Sequence, residues 1–355
     1  MGGGCEMKVL FIGGTGIIST AITKQLLEQG CDLYLLNRGN RNNQIPEGAN
    51  ILEADINDEV HVASLLESLE FDVVADFIAF EPAHLERDYR LFNGKTRQFI
   101  FISSASAYQK PLSDYRITEG TPLANPYWKY SQNKIACEDY LLKQYRENGF
   151  PITIVRPSHT YDERSVPLGV HGRNGSWQVI KRMMENKPVI IHGDGTSLWT
   201  MTHNRDFAKG FIGLLGNIHA IGESVHITSD ETVTWNQIYE IIAEALGVKL
   251  KAVYVASEFL DACSSEDFKG SLLGDKANSV VFDNSKLKRL VPEFAATTRL
   301  DRGIRETLQY ILAHPECQTE DLEFDSWCDR VIEALRDTID RFKAKSENCE
   351  KLQIK

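Results

Sequence analysis

With 355 residues, 42% apolar and 25% charged, the chain has the composition of a water-soluble protein and length for one large domain or two modest ones. Its formal net charge of -11 argues against a nucleic-acid backbone as the main partner, which needs clustered Lys and Arg to displace counterions. Seven cysteines, odd in number and without a C-x-x-C pair, read as a reduced cytoplasmic protein, with neither a disulfide framework nor a metal site.

In chain order, the glycine-rich Met1 to Glu6 is expected to be a disordered leader, and Glu6 stands where a myristoylation signal needs Ser or Thr. Short β-rich runs follow: KVLFIG (8–13), DLYLLN (32–37), NILEAD (50–55), DVVADFI (72–78), RQFIFISS (97–104) and ITIVRP (152–157). They are apolar on both alternations, as strands covered on both faces must be, and helix-length segments separate them. The alternation predicts an α/β fold, a doubly wound parallel sheet of Rossmann type. PVIIHGDG and SVHITS read as further strands, and TWNQIYEIIAEALG as a helix. The expected division is 7–157 with about 200–230 as the dinucleotide domain, about 158–199 and 231–315 as a smaller α/β substrate lobe, and 316–355 as a helical tail. In that tail Phe324, Trp327, Val331, Leu335, Ile339 and Phe342 recur at helical spacing, so it is expected to pack back on the body. No apolar run approaches the roughly 20 residues that span a bilayer, and no membrane partner is expected.

LFIGGTGIIS places Gly13, Gly14 and Gly16 between the first strand and a helix opening at Ile17 and Ile18. Such a turn lets backbone N–H groups approach a pyrophosphate where the helix dipole favours negative charge. Ser19 occupies the place of a third glycine and should slightly loosen helix-to-strand packing. After the second strand Asn37 stands where an NAD site has an acid for the ribose hydroxyl, and Arg38 follows; that favours NADP without excluding NAD. Asp55 and Ile56, closing the third strand, are placed at the adenine edge.

NPYWKYSQNK (125–134) predicts a helix with Asn125 as N-cap and Pro126 in its first position, running to about Gln144. Tyr130 and Lys134 are then one helical turn apart. A phenol titrates near ~10, so it works as a base at neutral pH only if a nearby cation stabilises the phenolate. Ser103, Ser104 and Ser106 lie at the carboxyl end of the fifth strand, the ligand-binding edge of open α/β sheets.

With GGTGIIS, FISSASAY, YSQNK, VRPSHTY and GDGTSLWTMTHNRDFAKGF in this order, the sequence resembles the extended short-chain dehydrogenase/reductase superfamily, in its NAD-dependent epimerase/dehydratase branch. The resemblance implies that Tyr130 is the catalytic acid/base, that Lys134 tunes it and binds the nicotinamide ribose, and that Ser104 polarises the substrate. It further implies that Ile78, Ala79 and Ser103 adjoin the cofactor and that Pro157 and Ser158 border the nicotinamide. Relatives of this kind commonly dimerise through the tyrosine-bearing helix, so a homodimer is a candidate assembly. The candidate substrate residues are Ser106, His159, Trp177 and Trp199, with Asp275 and Lys276 in the same lobe.

The motifs also depart from the family. Ala105 and Ser106 stand where sugar-nucleotide dehydratases carry an Asp-Glu pair, and Trp199 where relatives often carry a diphosphate-binding arginine. His159 replaces an asparagine common in UDP-sugar enzymes. Redox chemistry at a secondary hydroxyl of a sugar-like small molecule, as epimerase or as dehydrogenase/reductase, is the expected function. The alternative is a non-catalytic relative that binds RNA or senses the cofactor.

Overall fold

Strands whose two alternating sets of side chains are both apolar can be satisfied only between two layers of helix. In the computed structural model, which describes residues 7–40 and 45–353, that is what happens. The expected leader lies outside the described residues. Strands β1 (Lys8–Ile12), β2 (Asp32–Asn37), β3 (Asn50–Glu53), β4 (Phe71–Asp76), β5 (Thr96–Ile102), β6 (Ile152–Pro157) and β7 (Ser224–Ile227) form one sheet in the order β7-β6-β5-β4-β1-β2-β3. Every pairing in it is parallel.

The first helices in chain order are α1 (Ile17–Glu28), α2 (Glu59–Leu65), α3 (Pro82–Phe92), α4 (Lys129–Asn148), α5 (Trp177–Met184), α6 (Asn204–Leu214) and α7 (Trp235–Leu246). One set of strand side chains, including Phe11, Leu35 and Ile100, packs with Ile22 and Leu26 of α1 and Phe207 and Phe211 of α6. The alternate set, including Ile12, Leu36 and Phe101, packs with Val62 of α2, Phe92 of α3 and Leu141 of α4. Each such side chain contributes roughly 1.5–3 kcal/mol on burial, so a one-residue register slip would be prohibitive. The strand order reverses at β1 and β4, which opens a crevice at their carboxyl ends.

Beyond this sheet, His159–Tyr161 pairs with Met201–His203, Leu198–Trp199 with Val233–Thr234, Val189–His192 with Ala252–Val255, and Arg116–Ile117 with Val281–Phe282. With α5 and α7 they enclose a third apolar cluster that includes Trp199, Trp235, Tyr239 and Trp327. The predicted helix at 235 is firmly started, since Thr234 and Gln237 form a capping box.

The tail is one helix, Leu322–Gln353, and the expectation that it packs back holds for its first half only. Phe324, Trp327 and Val331 are buried, but Ile339 and Phe342 are 53% and 73% exposed. The buried Arg182 side chain grips the start of this helix, reaching Asp325 and Asp329 at 2.7 Å each. Residues 336–344 are all exposed, so the apolar spacing outlasts the surface it could cover. The all-reduced expectation holds for Cys137, Cys263, Cys317 and Cys328, whereas Cys31 is disulfide-bonded. Among the described residues no helix is long and apolar enough to cross a membrane.

Candidate active site

The turn after β1 is built for close approach. Gly13 and Gly14 have φ of 101° and 109°, and a Cβ on Gly14 would lie 2.9 Å from Leu35 Cδ2. The first turn of α1 carries no acid, so its N-terminus keeps its attraction for an anion. Ser19, in the place of a third glycine, steadies the turn itself. Its buried hydroxyl accepts the Gly16 N–H at 2.9 Å, pairing a group that a glycine would leave unpaired.

A cleft of about 710 Å³ runs from this turn past Asn37, Arg38, Asp55, Ile56, Ile78 and Phe80. Asn37 Oδ1 accepts the Gly39 N–H at 2.8 Å, while its buried Nδ2 has no partner among the described residues. Arg38 is exposed on the cleft wall, and Asp55 accepts the Asn57 N–H at 2.9 Å. Positive-φ glycines, an acid-free helix start and an orphaned amide donor together fit a dinucleotide. Ile17 and Ile18 begin α1 and do not line the cleft.

Ser104, at the end of β5, and Tyr130, on α4, meet over a second cavity of about 350 Å³ that Pro157 and Ser158 also border. Burial raises the Tyr130 phenol above its ordinary pKa, and the nearby Ser104 hydroxyl opposes the rise. Lys134 lies one turn deeper. Its buried Nζ donates to the carbonyls of Ala79 and Ile102 at 2.7 Å each and sits 4.6 Å from the Phe80 ring centroid. Burial lowers its pKa to about 8. Phe80 walls the dinucleotide cleft, so Lys134 stands between the two spaces.

The helix begins at Lys129, not at Pro126, and Asn125 is not its cap. The amide of Asn125 is buried and used elsewhere: Nδ2 donates to Ser106 O at 2.8 Å and to Gly274 O at 2.7 Å. Tertiary bonds outcompete the local capping preference here.

Polar groups behind the serines hold them in place. Ser131 donates to Ser106 at 2.7 Å, and the Ser106 and Ser104 hydroxyl oxygens are 2.8 Å apart. Ser103 is buried with its hydroxyl on Glu138 at 2.5 Å, and Arg156 pairs with the same carboxylate. Neither cavity is lined by Ser103 or Ala79. Asp76 accepts the N–H groups of Ile78 and Ala79 at 2.5 and 2.8 Å, fixing the loop whose carbonyl receives Lys134.

Of the candidate substrate residues, Ser106, His159 and Trp199 line the smaller cavity. Trp177 does not: it begins α5 and packs in the third apolar cluster. Trp128, Asp275 and Lys276 are brought in, and Lys110 and His171 join them without a forewarning in the sequence. Burial pushes His159 down to about 3 and lowers His171, so both imidazoles are neutral.

Residues 9–228 match the model of the NAD dependent epimerase/dehydratase family. The chain is 25% identical over 289 residues to 2'-dehydrokanamycin reductase from Streptomyces kanamyceticus, covering 81% of this chain and 80% of that protein. It is 26% identical over 341 residues to an uncharacterized UDP-glucose epimerase, YtcB, of Bacillus subtilis, covering 86% and 98%. The fold is similar to that of epimerase Mth375 from Methanothermobacter thermautotrophicus, with a TM-score of 0.70 and 18% identity over 88% of this chain and 94% of that one. Together with the glycine turn and the parallel sheet, the match over most of the sheet identifies this chain as a member of the NAD dependent epimerase/dehydratase family, the extended short-chain dehydrogenase/reductase type that its motifs resemble.

Proposed function

We propose that the protein interconverts a secondary hydroxyl and the corresponding ketone of a sugar-like substrate with Tyr130 as the proton-transfer group. The observation that carries this is the meeting of Ser104 and Tyr130 at a cavity adjoining the dinucleotide cleft, with Lys134 one helical turn away. A bound nicotinamide supplies hydride acceptance or donation. In the oxidative direction the C–H pair leaves as hydride, the hydroxyl proton passes to the Tyr130 oxygen, and C–O becomes C=O. Ser104 hydrogen-bonds the same substrate oxygen and orients it. Lys134, fixed by two carbonyls, places its charge against the ribose side of the cleft. Gly13 and Gly16 receive the pyrophosphate, Asn37 and Arg38 the adenosine ribose, and Asp55 and Ile56 the adenine.

Arg38 and the absence of an acid at Asn37 favour NADP. The relatives' names include both a reductase of a kanamycin derivative and a UDP-glucose epimerase. Trp199 at the wall, in place of an arginine, and the missing Asp-Glu pair favour simple redox chemistry on a substrate without a nucleotide diphosphate. Tyr130→Phe should abolish turnover and preserve dinucleotide binding by calorimetry; a variant as active as wild type would refute the assignment. Mass spectrometry of the purified protein identifies which dinucleotide stays bound.

A further inference from the structure

The smaller cavity has a charge pattern that the redox chemistry does not use. Lys110, Asp275 and Lys276 converge on it. Lys110 is only 3% exposed, yet among the described residues its ammonium is in no ion pair and no side-chain hydrogen bond. Asp275 acts on it through space. Burying an ammonium without a partner is costly, and a fold tolerates it where a ligand brings the missing charge.

The other two groups stand on a rigid mount. The segment Lys269–Lys276 is π-helical, a form frequent at functional sites. The carbonyl of Gly274 is held by Asn125 at 2.7 Å. That of Lys276 lies 3.0 Å from Trp235 Nε1 and 3.2 Å from both Ser197 Oγ and His192 Nε2. Backbone pinned on both sides of Asp275 leaves little ordering to be done on binding. Burial disfavours the charged forms of both lysines and of Asp275, and their opposite charges counter it; with His159 and His171 neutral, the wall presents two amines against one carboxyl group.

We propose that this charged wall of the cavity binds an anionic group of the substrate, a carboxylate or a phosphate monoester, held by the Lys110 and Lys276 ammoniums. Asp275 accepts a hydrogen bond from a neighbouring hydroxyl of the same molecule. A cavity of about 350 Å³ is at the small end of ligand sites, about 300–1,000 Å³, and suits a sugar acid or sugar phosphate without a nucleotide. The assignment deepens the redox reading of the same site and rests on it for the substrate's reacting end.

Calorimetric titration of the full chain with D-glucuronate, D-glucose 6-phosphate and neutral D-glucose tests it. At least one acidic probe should bind about tenfold or more tightly than glucose, equivalent to about 1.4 kcal/mol. Lys110→Met and Lys276→Met should each weaken that probe about tenfold, with Lys110→Arg and Lys276→Arg recovering part of the loss. The tighter probe identifies carboxylate or phosphate as the source. Equal or undetectable binding of all three probes to wild type, or unchanged acid binding in the Met variants, overturns the proposal. Tyr130→Phe separates the two readings: it should bind the acidic probe like wild type, and if it also retained turnover the redox assignment would fall while the anion subsite stood.

Discussion

Asn125 and Gly274 are 149 residues apart in sequence, yet one hydrogen bond of 2.7 Å joins them. The same amide nitrogen also holds Ser106 O, so a single side chain ties the serine turn to the π-helical wall of the cavity. Asn125→Ala strips both carbonyls of their donor inside the protein. We expect a loss of about 2–3 kcal/mol in urea unfolding and a raised KM.

The nearby Ser104 hydroxyl favours the Tyr130 phenolate, so its removal must move the phenol further up. In Ser104→Ala the rising limb of the oxidation pH profile should shift to higher pH, and kcat at neutral pH should fall on the order of 10²-fold. A profile with an unmoved limb would separate Ser104 from the proton transfer.

Arg38 faces the cleft without filling it, so Arg38→Ala should leave folding intact. The expected change is selective: KM for NADP rises about tenfold or more while KM for NAD changes little. Equal effects on both cofactors would remove Arg38 from the 2'-phosphate site.

Asp275 is raised to about 6 chiefly by burial, with the two lysines opposing the shift. Between its ordinary value of 3.8 and about 6 the folded state holds more protons than the unfolded state, so this group's contribution to stability falls as pH rises through that window. Above it, the ionised carboxylate remains a penalty. Asp275→Asn should therefore stabilise the protein by about 1–3 kcal/mol at pH 8 and have little effect at pH 4, read from thermal unfolding at the two values.

Arg182 donates to Asp325, Asp329 and the Pro188 carbonyl from a fully buried position. Arg182→Met should release the start of the C-terminal helix at a cost of about 2 kcal/mol. Hydrogen exchange should quicken around Phe324 and Trp327 and stay unchanged in the exposed residues 336–344.

The sheet was legible in the sequence because its strands are apolar on both alternations, a pattern that few other structures satisfy. Tyr130, Lys134 and Ser104 were legible as a set because a helical turn and a strand end fix where each must lie. Lys110 and His171 were not, since loops carry them to the cavity without any period. Trp177 was misread for the opposite reason: an aromatic beside glycines resembles a pocket residue, and only the packing of α5 shows it turned into the core. Asn125 satisfied a local capping rule that two distant carbonyls overrode. Periodicity in the tail reported an apolar stripe faithfully, but a stripe does not say how far its partner extends.

The indoles of Trp128 and Trp199 line the cavity at Tyr130, and Trp235 lies 5.8 Å behind Trp199. Indole emission overlaps the absorption of reduced nicotinamide, so these rings form an optical antenna beside the place where hydride moves. Quenching of their fluorescence on reduction would time the chemical step within the intact protein, without a dye or a coupled assay.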